Sequence, residues 1–385
     1  MTLHFHWFLP TNGGDGRSIV GGGHGVDAGP AGRPASVPYL GQVARAAESV
    51  GFEGALVPTG PWCADAWVTS AMVAQVSERL QFLVAFRPDA VGPYVAAQMA
   101  TTFHRLTGGR LLLNVVTGGE DHDQRMYGDF LSKEERYERC DEFLDVVRRL
   151  WAGETLDLEG THVRLEDATL QQLPAAIPTI YFGGSSPKAL EVAARHTDVY
   201  LTWGEPPAAV AEKVRRVRAL AAEQGREPRF GVRLHSIARD TREAAWAEAD
   251  RLLARVSDDD VARVRAGLAR SGSDSQRAML ELNGGSRDDL EIHPHLWAGV
   301  GLVRGGAGTA MVGSYAEIAD LVEEYVDAGI SELVLSGYPH LEEAYWFGEG
   351  VLPELERRGL WSHPSPALAE TSAPFGARLA GVAAS

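Results

Sequence analysis

The chain has 385 residues, of which 45% are hydrophobic and 23% charged, a balance that builds a sizeable core and excludes a disordered or fibrous protein. Its formal charge of −16, from 36 Lys and Arg against 52 Asp and Glu, argues against nucleic acid and an anionic membrane as partners. Two cysteines exclude a disulfide framework, the opening MTLHFHWFLPTNGG does not read as a signal peptide, and no apolar run reaches membrane-spanning length, so a cytoplasmic protein is expected.

Short apolar runs rich in β-branched and aromatic residues alternate with amphipathic stretches of helical period. Strands are expected at 3–9, 54–58, 81–86, 111–116, 179–182, 199–202, 230–237 and 332–336. Helices are expected at 38–50, 65–76, 91–105, 133–151, 187–195, 207–223, 242–256 and 315–328, with a last one at 340–355. Eight alternating units point to the α/β class and a (β/α)8 TIM barrel; an open doubly wound sheet is the structural alternative. Two insertions interrupt the pattern. Residues 155–165 read as a β-hairpin around Glu159-Gly160, and residues 257–310 are first polar and helical, then glycine-rich, as in a lid over an active site. One barrel domain over 1–360 and a flexible Ser/Pro/Ala-rich tail over 361–385 are expected.

Chemistry in such a barrel sits where strands end and loops begin. The strand ends carry Pro58-Thr59-Gly60 with Cys63 beyond, Phe86-Arg87-Pro88, Asn114 through Thr117-Gly118, Gly183-Gly184-Ser185-Ser186, Thr202-Trp203-Gly204 and Gly337-Tyr338-Pro339-His340. The run Gly183 to Ser186 opens a helix and suits a phosphate, since glycines bare the backbone N–H groups and the helix N-terminus favours an anion; plain helix capping is the other reading. Arg233 and His235 alternate on one strand and so share a face, and Arg304 sits among glycines in the insertion. The arginines suit an oxyanion or a structural ion pair. His235 reads as catalytic or as a core histidine, and Tyr338 as a proton donor or a wall aromatic. Cys63 reads as a small buried side chain, since no Cys-His-Asn pattern accompanies it. The glycine-rich run 13–25 is expected to be a flexible loop, because Pro30, Arg33 and Pro34 separate it from the next helix. No metal site is expected: the histidines are scattered, His293 and His295 lack a second cluster, and His4 and His6 suit a core or pocket role.

Over roughly residues 3–350 the chain resembles the two-component, reduced-FMN-dependent alkanesulfonate monooxygenases of the bacterial-luciferase-like superfamily. The stretches that carry the resemblance are FHWFLPT, GALVPTG with CADAW, LQFLVAFRP, NVVTG, ERYE, YFGGSS, DVYLTWGEPP, RFGVRLH, LWAGVGLVRGGAGTAMVG and LVLSGYPHLEEAY. The resemblance implies a barrel that binds reduced FMN (FMNH2) as co-substrate and uses O2 to cleave an alkanesulfonate into an aldehyde and sulfite. It further implies a separate NAD(P)H-dependent flavin reductase and a homotetramer. The phosphate positions fall on Tyr137, Ser185 and Gly184. Asn114, Thr117 and Arg136 fall where the flavin is lined, and Thr59 joins this cofactor-binding set. The family's active-site cysteine matches Cys63 and its tryptophan matches Trp203, while substrate binding and proton transfer fall on Arg233, His235, Tyr338 and Arg304. The loop after the first strand departs from the family's form, with His24 and Asp27 in place of an acidic contact, so substrate contacts from 13–34 are not carried over. The alternatives are a sister monooxygenase for methanesulfonate, a sulfone or a non-sulfur substrate, a deazaflavin-dependent hydride-transfer enzyme, and a non-catalytic flavin-binding protein.

Overall fold

The computed structural model describes residues 2–20, 32–88, 90–269 and 271–364. Eight parallel strands run through it: β1 (His4–Phe8), β2 (Gly54–Val57), β3 (Gln81–Phe86), β4 (Leu111–Val115), β5 (Thr179–Phe182), β6 (Val199–Trp203), β7 (Arg229–Arg239) and β8 (Glu332–Ser336). Each pairs with the next in sequence, and β8 pairs back to β1, which closes a (β/α)8 TIM barrel as the alternation of elements predicts. None of the helices among the described residues is long and apolar enough to cross a membrane.

Period-two alternation decides what the barrel encloses. In β1, Phe5 and Trp7 pack against the outer helices, so His6 and Phe8 face inward. In β7, Val232 and Leu234 pack outward, so Arg233 and His235 face inward. The N-terminal end of the barrel is closed by Glu332, which takes the Tyr181 hydroxyl and lies 3.4 Å from His6 Nε2. Leu56, Leu83, Leu112, Leu201 and Val334 fill the middle. The C-terminal end is left for the site.

The helices begin where the sequence supplies caps. Ser36 accepts from Tyr39 N, Asp65 from Val68 N, and Ser132 with Glu135 forms a capping box at the start of the helix Lys133–Trp151. The expected hairpin is present as Leu156–Glu159 against Arg164–Ala168. Its turn is tied down by Glu142, which accepts from the N–H groups of Thr161, His162 and Val163 at 2.8, 2.9 and 3.0 Å.

Among the elements that differ from the expectation, besides the unexpected short helix Asp121–Met126, three stand out. First, the glycine-rich half of 257–310 is not a loose loop. After the helices Asp258–Leu268 and Asp274–Asn283 it folds into short strands Glu291–His293 and Leu296–Trp297, and Trp297, Val300, Leu302 and Val303 bury into a second core with Tyr338. Second, an unexpected strand, Ala310–Ser314, pairs in parallel with the second half of β7 from His235 to Arg239, on the edge that β6 leaves free beyond Arg233. This partner is why β7 reaches 11 residues. Third, the last helix is not continuous. It runs His340–Trp346, widens into a π turn at Phe347–Val351 and resumes at Leu352–Arg357. Side chains at Gly348 and Gly350 would strike Val50 and Tyr315, so the turn exists where two helices press closest. Of the expected tail, Trp361 is buried against Gly51, and residues 365–385 lie outside the described residues. The same holds for 21–31, and with them His24 and Asp27.

Candidate active site

The strand ends open into a cavity of about 230 Å³. Its wall takes Thr59 from the end of β2, Asn114 and Thr117 from β4, Gly184 and Ser185 after β5, Trp203 from β6, Arg233 from β7, Tyr137 from the helix Lys133–Trp151, and Arg304 from the insertion. Nine of the expected site residues are therefore brought together in one cavity, from seven separate segments of chain.

At one end of the cavity the backbone forms a glycine-lined turn of a kind that suits an anion. After β5 the chain turns through Gly183 and Gly184 into the helix Pro187–His196. A side chain at Gly183 would strike the Leu201 carbonyl, and one at Gly184 would come within 2.8 Å of Ala189 Cβ and 3.5 Å of the Tyr137 hydroxyl. Only glycine leaves this hollow open. Ser186 is the helix cap and accepts from Ala189 N at 3.3 Å. Ser185 has no part in the cap; its hydroxyl lies 2.9 Å from that of Ser275. The tension between helix cap and ligand site is thus divided between two adjacent serines.

The other end gathers positive charge. The Arg233 guanidinium sits 5.0 Å above the Phe8 ring and that of Arg304 sits 5.7 Å from the same ring. Arg233 donates to the Val334 carbonyl at 3.3 Å and to Ser336 Oγ at 2.9 Å, while Arg304 donates to the Tyr338 hydroxyl. Among the described residues neither guanidinium has a carboxylate within ion-pairing distance, although both are buried. Burial, with the charge of Arg304 added, pushes Arg233 down to about 9. A buried cation pair without a counter-ion is costly, and an anion in the cavity relieves it.

Behind these arginines lies a hydrogen-bonded group built on His235. His235 Nδ1 is 2.7 Å from Ser336 Oγ and Nε2 is 3.0 Å from the Ala307 carbonyl. A carbonyl only accepts, so Nε2 carries the proton and Nδ1 takes the Ser336 hydroxyl. Burial and the two arginine charges hold the ring well below its usual pKa, so it is neutral. The Tyr338 ring stacks on it at 5.4 Å.

In the sequence His340 follows the last strand with no pattern that marks a role, and nothing there marks Asp15. The structure joins them. Asp15 is buried, accepts from the Tyr39 hydroxyl and from His340 N, and lies 2.8 Å from His340 Nδ1. The His340 ring in turn stacks on Phe8 at 5.4 Å and meets Tyr338 edge-on at 5.5 Å. Its buried Nε2 has no partner among the described residues. Arg33 completes the group, donating to Tyr39 at 3.3 Å and pairing with Glu342.

Two expected residues stand behind the wall. Cys63 points its thiol at the carbonyls of Pro58 and Gly60, 3.6 and 3.5 Å away, and burial pushes it up to about 11, so it is a neutral thiol. Arg136 is engaged by Asp121 at 2.9 Å and by the Leu131 carbonyl at 2.8 Å. Its fork braces the short helix Asp121–Met126, and its side chain stands outside the residues that line the cavity.

The parallel barrel thus carries its cavity at the C-terminal strand ends, with a glycine-serine turn at one end and a buried arginine pair at the other. The profile of the luciferase-like monooxygenase family matches residues 3–332, and the chain belongs to that family. Its fold is similar to that of a riboflavin lyase (RcaE) solved with modified FMN and its substrate riboflavin, at 19% identity over 96% of this chain and 95% of that one, with a TM-score of 0.76. It is similar to a long-chain alkane monooxygenase (LadA), at 20% identity over 94% and 93% of the two chains and a TM-score of 0.75. It is also similar to an F420-dependent secondary alcohol dehydrogenase, at 17% identity over 92% and 99% and a TM-score of 0.67. Likeness at these identities carries the fold; substrate and cofactor rest on the residues.

Proposed function

We propose that this protein is a reduced-FMN-dependent monooxygenase that cleaves alkanesulfonates into an aldehyde and sulfite, with reduced flavin delivered by a separate NAD(P)H-dependent reductase. The observation that carries the reading is the buried pair Arg233 and Arg304, which has no carboxylate partner among the described residues and faces a cavity whose far end is a glycine-serine hollow. The hollow fits the flavin phosphate, because Gly184 leaves open the space beside Tyr137 and Ser185 is free of capping duty. Thr59, Asn114, Thr117 and Trp203 line the span between the two ends.

When bound, reduced flavin supplies the two electrons that, with O2, place one oxygen atom on the substrate carbon and the other in water. The protein supplies position, charge and protons. Arg233 and Arg304 hold the sulfonate and favour the charge that gathers as sulfite departs. His235, neutral and bonded at both nitrogens, fixes Ser336 and through it the Arg233 fork. Tyr338 is the proton donor: Arg304 donates to its oxygen, so its own hydrogen is free to leave. The insertion, packed through Trp297 and Leu302, keeps Arg304 in a dry setting.

A coupled assay tests this. Reduced FMN from any flavin reductase, O2 and a panel of sulfonates from one to ten carbons are supplied, and sulfite is read. Sulfite from at least one sulfonate, matched by O2 uptake, is the expected result. O2 uptake with no sulfite from any member sinks the sulfonate reading and leaves the sister reading of a sulfone or non-sulfur substrate. Tight deazaflavin binding without O2 uptake moves the protein to hydride transfer, the chemistry of its F420-dependent neighbour.

A further inference from the structure

The phosphate end of the cavity has a second wall to which the flavin reading assigns no role. The helix Asp274–Asn283 of the insertion begins opposite the Gly184–Ser185 turn. It is fastened on both sides: Gly272 N donates to the Gly119 carbonyl at 3.0 Å, and Gln276 Oε1 accepts from Gly306 N at 2.8 Å. A Cβ at Gly119 would come within 2.7 Å of Ser273, so the two segments meet only because that residue is glycine. Ser273 caps the helix by accepting from Gln276 N at 3.2 Å. Ser275, one step further in, instead turns its hydroxyl to Ser185, 2.9 Å away. Lys133 arrives from a third segment, with Nζ 2.9 Å from the Gly272 carbonyl and 3.2 Å from Asp274 Oδ2.

Two hydroxyls that face each other share one hydrogen bond, and one O–H is left for another acceptor. A phosphate oxygen beside the pair takes that remaining O–H, and takes both once the bond between the two hydroxyls opens. Asp274 does not cancel the charge here, because Arg277 also holds it at 2.9 Å, and the trio of Lys133, Arg277 and Asp274 carries one net positive charge. We propose that Ser275 and Lys133 complete the cofactor's phosphate site from the insertion side, so that a phosphate monoester is clasped between two chain segments, and that these two residues set a preference for FMN over unphosphorylated riboflavin. The inference rests on the reduced-FMN reading above.

The test uses the full chain with oxidised FMN and riboflavin as probes, and reads affinity by quenching of flavin fluorescence. Wild type is expected to bind FMN more tightly than riboflavin. Ser275→Ala and Lys133→Gln should each weaken FMN about tenfold and leave riboflavin unchanged, the effect of losing one hydrogen bond to a charged group. Ser275→Thr should retain the preference. Ser185→Ala serves as the reference for the hollow itself. If Ser185→Ala loses the preference while Ser275→Ala and Lys133→Gln keep it, the clasp is wrong and the flavin reading stands. Equal losses for FMN and riboflavin in the Ser275 and Lys133 variants also overturn it, since the wall would then be merely structural. If wild type itself shows no preference, the phosphate reading of the cavity falls and the clasp falls with it.

Discussion

Arg233 and Arg304 are both buried within reach of the Phe8 ring, and the groups that receive their N–H donors are carbonyls and hydroxyls rather than carboxylates. Such donors orient a guanidinium without neutralising it, which keeps its charge for a ligand. Asp15 and His340 make the opposite choice, a carboxylate and a ring closed on each other. Burial alone would push the Asp15 carboxyl up, but the His340 ring and the Tyr39 hydroxyl more than offset it and leave it below the usual carboxylate range. A lowered carboxyl contributes stability that is present above its unfolded pKa and lost as pH falls through its folded one. Asp15→Asn is therefore expected to cost about 3 kcal/mol near neutrality. In urea melts the gap to wild type should hold steady above about pH 5 and close toward acid. A gap unchanged down to about pH 3 would show that the loss is one of packing rather than charge. None of this was legible in the sequence, because Asp15 and His340 are 325 positions apart and Asp15 stands in a glycine-rich run without periodicity.

Elements with a clear period were legible, and elements made by contact were not. The strand that holds Arg233 and His235 announced itself by alternation, and so did their shared face. The strand Ala310–Ser314 did not, since five residues between glycines and a helix carry too little pattern, and its pairing with β7 is a tertiary event. The π turn at Phe347–Val351 likewise answers to Val50 and Tyr315, which lie far away in sequence. The insertion expected as a glycine-rich loop over the site is packed through Trp297 and Leu302, and its helix Asp274–Asn283 is tied to the Arg304 segment by the bond from Gly306 N to Gln276. Gln276→Ala should raise the KM for sulfonate roughly tenfold, the effect of one buried hydrogen bond, with a smaller change in riboflavin affinity. An unchanged KM would show that the arm holds Arg304 without that link.

The whole molecule is acidic, with a formal charge of −16, yet the floor of its cavity is positive, where Arg233 and Arg304 gather. Closure of the barrel is what brings these places together: β5 and β7 end beside one another across β6, so the glycine-serine hollow and Arg233 face one cavity. Composition foretold the surface, and only the fold could place the exceptions to it. The central claim is that Arg233 and Arg304, which have no carboxylate partner among the described residues, hold a sulfonate while its carbon–sulfur bond is broken. It is tested most directly by single-turnover sulfite release, in which reduced FMN and O2 are mixed with wild type, Arg233→Ala and Arg304→Ala in the presence of a sulfonate. Wild type should release sulfite in proportion to the reduced FMN consumed, and each variant should lose nearly all of that release while still binding FMN. Sulfite release near the wild-type level in both variants would contradict the account.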